Sequence, residues 1–172
     1  MAEEAEKKSF TIYRAKDAPT LMESGHMAIA PISAEHRAGV MKAVEAGYTK
    51  GDVVRVLVDL PGFSLTHAWL KKHYPLALHT HDSDCLYYIV AGSLRMGTED
   101  LGAQDSFFVP AGVPYTYRPG PDGVEVLEFR HATQFDFVNL SKTATFWEKA
   151  TQIVKDNVAD WEVATPPSQM AR

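Results

Sequence analysis

At 172 residues, 45% of them hydrophobic and 23% charged, the chain can bury the core of one soluble domain. A net charge of −5 gives no basic footprint for nucleic acid, and no run approaches the ~18 apolar residues of a membrane span. The N-terminus, MAEEAEKKSF, lacks a signal-peptide core, and a single cysteine excludes an intramolecular disulfide framework, so a reducing cytoplasm is the expected location.

Residues 1–9 are charged and expected to be loose. Phe10 to Arg14 reads as a short strand, broken by Asp17-Ala-Pro-Thr. Ser33 is an N-cap for a helix to about Ala46, with Val40, Met41 and Val44 at helical spacing, ended by Gly47 and Gly51. From Asp52 to Arg130 the texture changes to short β-rich runs: VVRVLVDL, FSLTHAWL, PLALHTH, CLYYIVAGSLRM, SFFVP, YTYRP and VEVLEF. Many short strands with Pro and Gly turns predict an all-β barrel or sandwich. Thr143 to Asp160 returns to helix, with Phe146, Ile153 and Val154 on one side and Trp147 and Trp161 free to pack on the barrel. Pro166-Pro167 and the last five residues are expected to be loose. Residues 1–50 thus form an arm and helix, 51–135 the β-barrel and 136–172 a helical tail, together one structural domain.

The chemistry concentrates in His79-Thr-His81-Asp-Ser-Asp-Cys85. Histidines at i and i+2 on a strand share a face, and neutral imidazole is the commonest protein ligand for a transition metal. Cys85, Tyr87 and Ile89 share a face of the following strand. Downstream, Pro110-Ala-Gly112-Val-Pro114 makes a tight turn before Tyr115.

Residues 52–131 resemble the cupin superfamily. Its first motif is HxH, three or four residues, Glu, then Gly seven residues on; its second is PxGxxH. His79, His81 and Gly92 match the first, and Pro110 and Gly112 the second. The motif glutamate falls on Cys85 and the motif histidine on Tyr115. The resemblance implies a double-stranded β-helix, or jelly-roll, barrel with both faces above looking inward. It makes His79 and His81 ligands of one divalent transition metal, iron first, with Mn, Ni, Cu or Zn as alternatives. Thiol dioxygenases of the cysteine dioxygenase type also carry Cys at the glutamate position, with three histidines on iron and, in some members, a tyrosine on the last strand joined to that Cys. Here Tyr115 stands at the third-histidine position and His131 near that tyrosine, so the two are exchanged. His131 then becomes the third ligand if it turns inward, with Cys85, Tyr115 or Glu128 as alternatives. Glu128 faces inward only if His131 does not, their registers being opposed.

Tyr87, Tyr115 and Cys85 are the candidate catalytic residues. Some cupin lyases that cleave dimethylsulfoniopropionate place a base tyrosine two residues after the motif glutamate, the offset of Tyr87. Such a base needs its pKa lowered. His67 and His73 precede the motif, His26 and His36 have no spacing argument, and Asp82 and Asp84 read as loop residues. The favoured function is a mononuclear-metal enzyme of Fe(II) dioxygenase type acting on a small polar molecule. The alternatives are a metal-dependent lyase or isomerase and a non-catalytic binding barrel. A homodimer is expected, with Phe10–Arg14 a candidate for exchange between partners.

Overall fold

The computed structural model describes residues 10–170. Two sheets face each other. One has the order β2 (Asp52–Leu60), β3 (Phe63–Leu70), β8 (Arg118–Arg130), β5 (Cys85–Met96), β6 (Glu99–Gly102), with β7 (Ser106–Val109) also paired to β5. The other is small: β1 (Met27–Ile29), β9 (Phe135–Asn139) and β4 (His79–Thr80). This is the all-β sandwich that the strand-rich texture predicted, in the jelly-roll form that the resemblance implied. YTYRP and VEVLEF, separate runs in the sequence, largely merge into β8.

Alternation puts a single face of each long strand into the interior. On β5, Cys85, Tyr87 and Ile89 are buried while Leu86, Tyr88 and Val90 are exposed. On β3, Ser64, Thr66, Ala68 and Leu70 are buried. β8 follows with Val124 and Val126 inward and Arg130 at their level of burial.

The helices sit where their caps start them. Ser33 accepts the amide of His36 to open α2 (Ala34–Glu45), and Thr143 accepts that of Phe146 to open α3 (Ala144–Val163). A short α1 (Leu21–Ser24) carries a complete capping box between Thr20 and Glu23. Helix α3 is pinned by its indoles: Trp147 Nε1 donates to the Ser141 carbonyl at 2.6 Å and Trp161 Nε1 to that of Lys72 at 2.9 Å.

Two local expectations change. Among the described residues Phe10–Arg14 is not in a strand, and Phe10 is 92% exposed. The segment 166–169 is fastened, with a 3-10 turn at Pro167–Gln169 and the Ser168 amide donating to Glu125 Oε2 at 2.6 Å. Residues 1–9 and 171–172 lie outside the described residues. The N-terminal arm also contributes β1, which pairs in parallel with β9. No helix among the described residues is long and apolar enough to cross a membrane.

Gly92 marks a close approach between β5 and β8. Its φ is +75°, and a Cβ there would lie 2.2 Å from the Gly123 carbonyl oxygen. Gly92→Ala should destabilise the protein by about 2 kcal/mol, read as a lower urea midpoint, through backbone strain and displaced pairing.

Candidate active site

β4 is only two residues long, yet it is anchored on both sides. His79 exchanges both backbone hydrogen bonds with Tyr115, at 3.2 and 3.0 Å, and pairs across β9 with Asn139. The turn after it is clasped by carboxylates. Asp82 Oδ1 accepts the Asp136 amide at 2.9 Å while Asp136 Oδ1 accepts that of Asp82 at 2.7 Å, and Asp84 Oδ1 accepts the Ala111 amide at 2.7 Å. The Gly112 amide donates to the His81 carbonyl at 2.7 Å, with Gly112 at a φ of +75°. The two motif halves are thus sewn together through backbone.

The imidazoles of His79 and His81 lie 5.0 Å apart, centroid to centroid. His79 Nδ1 meets the Ala77 carbonyl at 2.7 Å, and His81 Nδ1 meets that of Asp136. A carbonyl only accepts, so Nδ1 carries the proton on each ring and Nε2 is left for a ligand. Burial pushes the His79 pKa down to about 4 and lowers that of His81, opposed in each case by the carbonyl partner. Both rings are neutral at pH 7. The Tyr115 ring lies 4.3 Å from that of His79, and Phe137 stacks on His79 from another side at 4.8 Å.

Opposite this pair, β8 supplies two charged residues. Arg130 is 1% exposed; its Nη1 donates to Glu128 Oε2 at 2.6 Å, its Nη2 reaches the Tyr87 hydroxyl at 3.4 Å, and its guanidinium lies 4.0 Å over the Phe135 ring. Arg130 Nε has no partner. The Tyr87 and Tyr115 hydroxyls share a short hydrogen bond. His79, His81, Tyr115, Glu128 and Arg130 line one cavity of about 420 Å³, whose remaining wall is mostly apolar.

The structure therefore brings together His79, His81, Tyr115 and Glu128, with Tyr87 one hydrogen bond behind. It does not bring His131: inward-facing Arg130 precedes it, so His131 is exposed and meets Phe63 edge-on on the outside. Cys85 is buried behind the cavity lining, and desolvation pushes its thiol up to about 12, with Glu128 adding to the rise. It is held as a thiol, away from any ligand. Both tyrosines have pKa values raised by burial first and by the Glu128 charge second, the reverse of what a phenolate base needs. In the protein alone both stay protonated, and one donates the hydrogen bond that they share.

Among the earlier histidines, His67 lies on the outer face with Nε2 3.1 Å from Glu125, His73 is exposed, and His26 and His36 are buried away from the cavity. Arg130 escaped the sequence reading. Its signal was there: it shares the parity of Glu128, Val126 and Val124.

No family model and no curated protein sequence matches the chain. Among solved structures, the polyketide cyclase RemF from Streptomyces resistomycificus superposes with a TM-score of 0.52 at 20% identity, over 62% of this chain and 83% of that one. The paired sheets and this superposition show the fold. The chain has a cupin fold. An RmlC-like cupin from Shewanella frigidimarina is also similar, at a TM-score of 0.48 and 17% identity over 71% of this chain and 90% of that one. An oxalate decarboxylase variant from Bacillus subtilis gives 0.43 and 21% over 48% of this chain; the cupin spans about a quarter of that protein, 26% of its length.

The neutral histidines set a pH dependence. The unfolded ring titrates near 6.5 and the folded His79 near 4, so the unfolded state binds the extra proton between these values. Stability contributed by neutral His79 is whole above pH 6.5 and is lost as pH falls toward 4. Metal-free wild type should lose on the order of 3 kcal/mol over this range relative to His79→Gln, measured by urea unfolding at pH 7 and below.

Proposed function

We propose that this cupin is an enzyme that binds a small, largely apolar molecule bearing an oxygen function and transforms it at one divalent transition metal held by His79 and His81. The observation that carries the reading is the pair of Nδ1–carbonyl bonds, which orient two neutral imidazoles with Nε2 available in the same cavity. The donor set fits a metal held by few protein ligands: among the described residues no three His, Cys, Asp or Glu form a metal group. Tyr115 stands beside His79 as the adjoining oxygen donor, and the remaining positions fall to substrate. A metal there would polarise a substrate oxygen and, as iron, support O₂ chemistry.

The chain's own residues account for binding and orientation. The apolar wall takes the body of the substrate and excludes water. Tyr115, its hydroxyl held by that of Tyr87, is placed to donate to a substrate oxygen, and Arg130 has an unused Nε donor on the same side. Tyr87 is a positioning residue acting through Tyr115. Burial holds both phenols protonated in the metal-free protein, which suits them to hydrogen bonding with the substrate in an Fe(II)-type oxidoreductase. Cys85 forms part of the wall behind the site.

Elemental analysis should find close to one transition metal per chain, lost in the His79→Ala, His81→Ala double variant. Tyr115→His, which supplies a nitrogen donor, should tighten it by about tenfold or more. A wild type that takes up none of Fe, Mn, Ni, Cu or Zn on reconstitution overturns the reading.

We also propose that the working form is a homodimer built on the outer face of the large sheet. Phe108, Leu86, Phe129, Leu65 and Val58 are register partners in one apolar row across five strands, with Phe108 57% and Leu86 45% exposed. With Tyr88 and Val90, the row leaves roughly 400 Å² of apolar surface, about half of the ~800 Å² each partner of a stable interface buries. A second copy is the self-complementary occupant. Light scattering should give twice the chain mass, and Phe108→Lys with Leu86→Lys should give a monomer. A monomeric wild type at tens of micromolar, an order-of-magnitude working concentration, refutes this assembly.

A further inference from the structure

The cavity has a second polar end that the reaction centre leaves unused. Asp52 opens β2 and lines the cavity. Its register partner is Leu70, and that of Leu70 is Val124, four residues before Glu128 on β8. At ~3.3 Å per residue the Asp52 level lies roughly 13 Å along the sheet from the Glu128 level. Val54, Ala68 and Leu70 line the stretch between. The cavity is thus polar at both ends and apolar in the middle.

The Asp52 carboxyl is desolvated, which raises its pKa to about 6. Tyr74 donates a hydrogen bond to it, and its own amide reaches it. The nearby cation is engaged elsewhere: Lys71 Nζ donates to the Trp161 carbonyl at 2.6 Å, and among the described residues no basic side chain forms an ion pair with Asp52. Tyr48, Tyr74 and Trp147 line the same end, with Tyr48 centroids 4.8 Å from Tyr74 and 6.0 Å from Trp147. The Tyr48 hydroxyl donates to the Pro75 carbonyl at 3.2 Å.

A carboxylate out of ion-pair contact attracts a cation, and clustered aromatic rings do so through their faces. We infer that Asp52, Tyr48, Tyr74 and Trp147 form a cation subsite, and that the substrate carries an ammonium group at the end away from its reacting oxygen. The carboxylate supplies the opposite charge, the three rings replace the water that the ammonium gives up, and the apolar middle of the cavity sets the length of the linker. Asp52 is then the residue that selects amines over neutral molecules of the same shape. The inference rests on this cavity being the substrate site, and it does not depend on the metal.

Calorimetric titration of the full chain with n-hexylammonium and with 1-hexanol, equal alkyl chains with different heads, reads the subsite directly. Wild type should bind the amine at least about tenfold more tightly than the alcohol, and Asp52→Asn should bring the two within about twofold. Equal binding of the two probes by wild type, binding of neither, or an amine preference that survives in Asp52→Asn overturns the proposal. Should Asp52→Asn fail to fold, Asp52→Ser is held to the same criterion. His79→Ala should lose metal and keep the amine preference, so loss of the metal reading and loss of the cation subsite are separate results.

Discussion

The register of β8 is the constraint on which the rest of the molecule depends. It lies between β3 and β5 and is hydrogen-bonded to both, so its alternation decides what the interior contains. In the observed register Arg130, Glu128, Val126 and Val124 face in. A slip by one residue would send Phe129 and Leu127 inward and leave the guanidinium in solvent. Glu128 has the same parity and would leave with it, so only the observed register sets this ion pair in the cavity.

Desolvation then favours the neutral form of the histidines, the tyrosines and the thiol at the reacting end. It keeps His79 and His81 unprotonated, Tyr87 and Tyr115 protonated and Cys85 a thiol. The outcome is a cavity of neutral donors and acceptors with one internally compensated ion pair. Asp52 is the exception, a carboxylate with no compensating cation in contact, and the apolar stretch of wall separates it from the rest.

Much of this was legible in the residues because the relevant signals are local. Ser33 and Thr143 announce two helices by capping, His79 and His81 share a face by strand period, and Pro110 to Tyr115 resembles the second cupin motif closely enough to place Tyr115 beside His79. What was illegible depends on pairing partners distant in sequence. β1 and β9 are short runs that become strands by pairing with each other and, for β9, with β4, while Phe10–Arg14 has strand-like residues and is not in a strand among the described residues. The choice of Arg130 over His131 is a matter of parity, fixed by β3 and β5 rather than by either residue's chemistry. Asp52 reads in sequence as the polar start of a strand; only closure of the sandwich turns it toward the cavity of His79.

The fastening of α3 through its indoles makes the chain its own spectroscopic reporter. The protein has three tryptophans, and all are buried: Trp161 at 0%, Trp147 at 3% and Trp69 at 8% exposure. Two belong to α3, each bound through its ring nitrogen to a carbonyl outside the helix. Trp147 also lines the cavity. Intrinsic fluorescence consequently follows two events, detachment of the helix through a red-shifted emission and occupancy of the cavity through quenching at a single indole, with no label attached.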